Sequence, residues 1–203
     1  MSDTGMTRRE ALAALAAAPL VALTWTSVEA EQASLRAAAA RKAAAAAGEA
    51  YQPQFFTAHE WETVRVLVDM IIPADERSGS ATDAGVPEFM DFIMIDMPER
   101  QEAMRKGLAW LDAHCRLRHG KDFLSASDAE RRAVLDEIAW PRRARPEVAE
   151  GVAFFNSFRD LTATGFFTSK MGMEDLRYMG NTYVAEWTGC PPEALAKLGV
   201  GET

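Results

Sequence analysis

The chain is 203 residues long and carries 30 acidic against 22 basic side chains, a formal net charge of −8. That balance argues against a nucleic acid or an anionic membrane surface as partner, because both need a basic footprint. The length suits one domain of ordinary size, and the absence of C-x-x-C-H excludes covalently attached c-type haem.

The first feature in chain order is Thr7-Arg8-Arg9-Glu10-Ala11-Leu12, followed by an apolar, alanine-rich run to Leu23. The run is shorter than the roughly 20 apolar residues a bilayer requires. A charged region, an apolar region and the small-x-small sequence Val28-Glu29-Ala30 follow one another as in a secretory signal. The alternative is an ordinary N-terminal helix whose arginines are solvated. The paired Arg8 and Arg9 resemble the twin-arginine export signal of bacteria. That resemblance implies cleavage after Ala30, a periplasmic location and transient contact with the twin-arginine translocase. The route carries proteins that are already folded.

Residues 31–50 are dominated by alanine, a strong helix former with little side chain to pack. They are expected to form a frayed helix or a tether that ends at Gly48. The folded domain is then 51–203. Thr57 and Glu60 form a capping box ahead of a helix with Trp61, Val64, Val68 and Ile71 on one face, stopped by Pro73. Residues 74–85 read as a loop. A second helix starts near Val86 with Phe89, Met90 and Ile93 inward, and a third runs from about Pro98 to His119 with Met104, Leu108, Leu111 and Cys115 as its stripe. Gly120 ends it. Ser127 and Glu130 cap a fourth helix that carries Val134, Leu135 and Ile138. A fifth follows Pro146, with Val152, Phe155, Phe158 and Leu161 on its face and Gly165 as its close. A short helix over about 174–179, a Gly- and Pro-rich tail and one or two turns over 193–198 complete the chain. The pattern is all-α, about five helices around one core, with an irregular aromatic and glycine-rich C-terminal segment.

No catalytic constellation emerges. H-E-x-x-H, G-x-S-x-G, G-x-x-x-x-G-K-[ST] and G-x-G-x-x-G are all missing, so no dinucleotide, flavin or metal site is expected in this chain. His59 sits in a first helical turn, and His114 and His119 do not share a face. Asp69, Asp75 and Asp83 gather around a loop without calcium-loop spacing. In the exported compartment disulfides persist. Cys115 and Cys190 can pair, stay free or bridge to another chain; Cys190, before two prolines, is the exposed candidate and Cys115 the buried one. Gly165 to Trp187 is rich in rings. Phe166, Phe167, Tyr178, Tyr183 and Trp187 either cover the open end of the core or form a protein–protein surface, where Tyr, Trp, Met and Phe are enriched.

The ordered set Phe56…Asp69-x-Ile71-Ile72-Pro73-x-Asp75, then Ala84-Gly85-Val86-x-x-Phe89-x-Asp91, then Gly165-Phe166-Phe167-Thr168…Gly172…Asp175-Leu176-x-Tyr178-x-Gly180-Asn181 resembles the gluconate 2-dehydrogenase subunit 3 family. The likeness spans about residues 55–192. It implies a small, non-catalytic subunit of a sugar dehydrogenase. The partner would be a large FAD-binding subunit of the glucose–methanol–choline oxidoreductase type, and a multihaem cytochrome c subunit often completes such complexes. The ending around Tyr178 and Cys190 looks most like small subunits of glucoside 3-dehydrogenases. Two other functions stay open at this point: a transient assembly chaperone for the flavoprotein, and a stand-alone periplasmic enzyme with an unrecognised site.

Overall fold

The computed structural model describes residues 27–178, 180, 183, 185–186 and 189–199. Among them the chain is helical, with no strand. The helices are α1 (Ser27–Ala47), α2 (Ala58–Ile71), α3 (Ala81–Ala84), α4 (Val86–Asp96), α5 (Gln101–His119), α6 (Asp128–Ile138), α7 (Ala149–Phe167), α8 (Lys170–Asp175) and α9 (Pro192–Leu198). Short 3-10 turns, Pro98–Arg100 and Pro146–Val148, lead into α5 and α7.

The all-α reading holds, and the finer division comes from capping chemistry. Thr57 and Ser127 cap α2 and α6 as expected: their hydroxyls accept from the Glu60 and Glu130 amides at 3.3 and 3.4 Å. Their own amides donate to the same glutamates at 2.8 and 2.7 Å. A third box, Ser80 with Asp83, nucleates α3 inside the stretch read as a loop. Gly85 then turns the chain into α4 at φ 88°, a left-handed value that favours glycine.

Helix α4 is the centre of the molecule. Val86, Phe89, Met90, Ile93 and Met94 are all at or below 1 % exposure, and each large side chain so buried contributes about 1.5–3 kcal/mol. A helix buried on nearly every side needs neighbours all round. α2 and α3 lie against it, α7 crosses it, and α5 and α6 extend the core beyond.

The alanine-rich stretch is the last neighbour: of the frayed helix or tether expected there, the structure shows a helix that ends just before Gly48, and the correction is that it is packed. α1 lies antiparallel on α4: Arg41 approaches Glu88 at 3.6 Å near the start of α4, and Arg36 reaches Asp96 at 2.6 Å at its end. Ala30, Ala33 and Ala37 are buried along the contact. Alanine offers little area, but its small side chain lets two helices approach closely. The Ser34 and Thr168 hydroxyls, 2.6 Å apart, fasten the same helix to the end of α7. The folded unit therefore starts at α1 rather than at residue 51, and Ala30, where cleavage is expected, lies in α1's first turn.

Gly165 does not close α7, which continues to Phe167. A Cβ on Gly165 would stand 2.6 Å from the Phe89 ring, so this glycine sets the closeness of α7 to α4. Likewise the short helix near the C terminus is Lys170–Asp175 rather than 174–179, because Ser169 caps it by accepting from the Gly172 amide at 3.1 Å.

Candidate partner interface

The C-terminal ring cluster splits at the end of α7. Phe166 is 1 % exposed and belongs to the core, so its reading as a partner contact is corrected. Its neighbour Phe167 leans on it edge-to-face, with ring centroids 5.2 Å apart, and is 39 % exposed. Tyr178 and Tyr183 are exposed at 60 % and 90 %. Trp187 lies outside the described residues. Met173 and Leu176, neither of which the sequence marked as a partner contact, are exposed at 42 % and 57 %. Their orientation depends on where α8 begins, and the Ser169 cap is the signal that could have placed it.

Several interactions hold this surface in position. Gly172 is needed because a Cβ there would fall 2.1 Å from the Phe166 carbonyl oxygen. Arg77, from the loop between α2 and α3, pairs with the Asp175 carboxylate at 3.0 Å and also donates to the Asp175 carbonyl. Asp75 shapes that loop by accepting from the Arg77 and Ser78 amides at 2.8 and 2.9 Å. Those bonds hold the exposed Asp75 carboxyl below its usual range. At the end of α8, Arg177 takes a left-handed φ of 52°, and the Tyr178 amide returns to the Met173 carbonyl at 3.0 Å. That closure is the usual glycine-type helix stop carried by an arginine. It fixes where the exposed Leu176 and Tyr178 leave the helix.

The other titratable groups serve as joints. His59 Nε2 lies 2.6 Å from Asp112 Oδ2, linking α2 to α5. His114 stacks on Trp110 at 4.7 Å and meets Glu137 at 3.1 Å. Burial acts to raise the Glu137 carboxyl, but His114, Arg118 and Arg145 outweigh it and hold it below the ordinary range. Asp69 accepts from the Thr82 amide at 2.7 Å, and Asp83 serves in its cap. The three loop aspartates thus serve separate backbone amides, and among the described residues no group of three or more His, Cys, Asp or Glu is placed to hold a metal. Both cysteines are free thiols. Cys115 is fully buried, with burial pushing its thiol up, which removes it as a bridge to another chain; Cys190 is exposed. Arg8 and Arg9 lie outside the described residues, and no described helix is long and apolar enough to cross a membrane.

Comparison with known proteins agrees with these motif positions. Residues 58–187 match the family model described as gluconate 2-dehydrogenase subunit 3. No curated protein and no solved structure matches the chain.

Proposed function

The chain belongs to the gluconate 2-dehydrogenase subunit 3 family, and from that premise we propose that it is the non-catalytic small subunit of a periplasmic, FAD-dependent sugar or glycoside dehydrogenase. Its role is to bind the large flavoprotein of the glucose–methanol–choline type and to escort it through twin-arginine export. The FAD and the sugar-oxidising chemistry belong to the partner, and a multihaem cytochrome c takes the electrons onward.

One observation carries the reading. Phe167, Met173, Leu176, Tyr178 and Tyr183 stand exposed in the segment where the family pattern is densest. Met and aromatic side chains of this kind are enriched at interface cores, and the surface that bears them is braced by Gly172 and the Arg77–Asp175 pair. The export half of the reading rests on Arg8 and Arg9. A flavoprotein that folds around FAD in the cytoplasm needs a folded-protein route, and a tightly bound partner with a signal supplies one.

The chain is to be expressed with its neighbouring flavoprotein gene and recovered from the periplasm. It is expected to co-purify with a flavin-containing protein in a stable complex. Recovery of this chain alone, without flavin, would overturn the subunit reading, and release of the chain after export would make it an assembly chaperone. Replacing Arg8 and Arg9 together by Lys is expected to leave dehydrogenase activity in the cytoplasm. Undiminished periplasmic activity in that variant would refute the escort role.

A further inference from the structure

Helix α1 is seated on the fold along one face, and that face begins at the expected cleavage point. Ala30, Ala33 and Ala37 are 2 %, 0 % and 2 % exposed, while Glu29 and Glu31 on either side of Ala30 face solvent. Positions 30, 33 and 37 follow the i, i+3, i+7 spacing of a single helical face. Ser34 belongs to the same face, and its hydroxyl lies 2.6 Å from that of Thr168 at the end of α7. Arg36, just off it, donates to Asp96 at 2.6 Å where α4 ends. Further along, Arg41 donates to the Asp83 carbonyl at 2.9 Å. A Cβ on Gly85 would stand 2.7 Å from the same guanidinium, so α1 fits closely at this end as well. The helix is therefore held from its first turn to its last third.

A peptidase that removes a signal grips the residues before the bond it cuts as an extended strand and takes their small side chains into pockets. Here Val28-Glu29-Ala30 is the first turn of a helix, and the Ala30 methyl is already taken up by the core. A helical residue advances about 1.5 Å and an extended one about 3.3 Å, so the turn must unwind before it can be gripped. Unwinding far enough to free both sides of the Ala30–Glu31 bond lifts Ala30 and Ala33 out of their contacts and reaches the Ser34–Thr168 pair. The twin-arginine route delivers a chain that is already folded, so α1 is in place when the peptidase meets it. We propose that docking of α1 protects the Ala30–Glu31 bond, so that the folded subunit keeps its export signal attached. Docking of α1 and processing at Ala30 exclude each other. The proposal rests on the export-signal reading with Ala30 as its cleavage point and is independent of the flavoprotein partner.

The test incubates the purified full-length precursor with signal peptidase in detergent micelles and follows loss of residues 1–30 by mass. Ala37→Glu sets a charge in the buried face two turns beyond the bond, releases α1 and leaves Val28-Glu29-Ala30 intact. The parent is expected to be cut at least about tenfold more slowly than this variant, because cleavage of a site that must first open follows the population of the open form. Ser34→Ala, which removes only the hydroxyl contact to Thr168, should fall between the two. Amide exchange over 30–34 reads the docking without the peptidase. It is expected to be slow in the parent and close to the intrinsic rate in Ala37→Glu, with α5 and α6 still protected. A synthetic peptide of residues 1–36 supplies the undocked site in a form that does not depend on a variant folding, and it should be cut as readily as Ala37→Glu. A parent cut as fast as that peptide would overturn the proposal and leave the cleavage reading standing. Intrinsic exchange over 30–34 in the parent would overturn it too. A peptide that stays uncut would remove Ala30 as the cleavage point and the proposal with it. None of these results bears on co-purification with a flavoprotein.

Discussion

Asp91 has no solvent exposure, yet it organises the approach to α2. Its carboxylate accepts from the Tyr51 hydroxyl and the Gln54 amide at 2.8 Å, the Phe55 amide at 2.9 Å and the Phe56 amide at 3.2 Å. Burial, and then this bond to Asp91, pushes the Tyr51 phenol far up. The sequence placed Asp91 in the family pattern without a role, because its partners lie 35 to 40 positions earlier. Asp91→Ala leaves buried amides without an acceptor. It is expected to cost about 3 kcal/mol and to lower the thermal midpoint by roughly 6–12 °C. A calorimetric midpoint within a degree of the parent would show that the amides find other acceptors. Glu130 carries the pH prediction. The Ser127 amide, then the Ser127 hydroxyl and Lys121, hold its carboxyl at about 2 against an ordinary 4.5. A depressed carboxyl stabilises the fold above its unfolded value and loses that contribution as pH falls through its folded value. Protection of the first-turn amides of α6, measured relative to their intrinsic exchange at each pH, should therefore fall between pH 4.5 and about 2, and Glu130→Gln should flatten the response. An identical pH profile in that variant would exclude the cap as its source.

At the scale of elements, the α2 and α6 boundaries were legible because capping boxes are local chemistry written within four residues. The glycines were not. Gly165 reads as a stop in sequence, since a glycine near the end of an apolar pattern commonly is one. Its role here comes from Phe89, a residue of another helix. Gly107 gave no signal at all, although it sets the closeness of α5 and α7. Gly107→Ala should raise local helix propensity and still destabilise the molecule, because the Phe154 ring occupies the space. A loss of about 1–3 kcal/mol in denaturant unfolding is expected, and a gain in stability would mean the ring yields freely. α1 teaches the converse: its pattern carries too little hydrophobicity to announce a packed face, and only the buried side of α4 supplies one.

At the scale of the molecule, an acidic helical unit presents an apolar surface beyond α7 at the C-terminal side. That surface is expected to carry the subunit contact. A Leu176→Ser, Tyr178→Ser double variant should keep the parent's unfolding midpoint, as both side chains are largely exposed, while its yield of flavoprotein in a pull-down falls at least about tenfold. Full recovery of the flavoprotein would place the contact elsewhere on the surface.

The sequence by itself determined the helical class, the α2 and α6 caps, the core stripes of α4–α6, part of those of α2 and α7, where Leu67 and Phe154 were missed, and the family, because each is written in short-range periodicity or in ordered motifs. Only the tertiary structure decided that Phe166 faces inward and Phe167 outward, that the alanine-rich segment is a packed helix and that Gly172 is required where α8 folds back on α7. Those outcomes depend on which surfaces far apart in the chain come to lie together, and one residue's rotation about a helix axis carries a side chain from core to solvent.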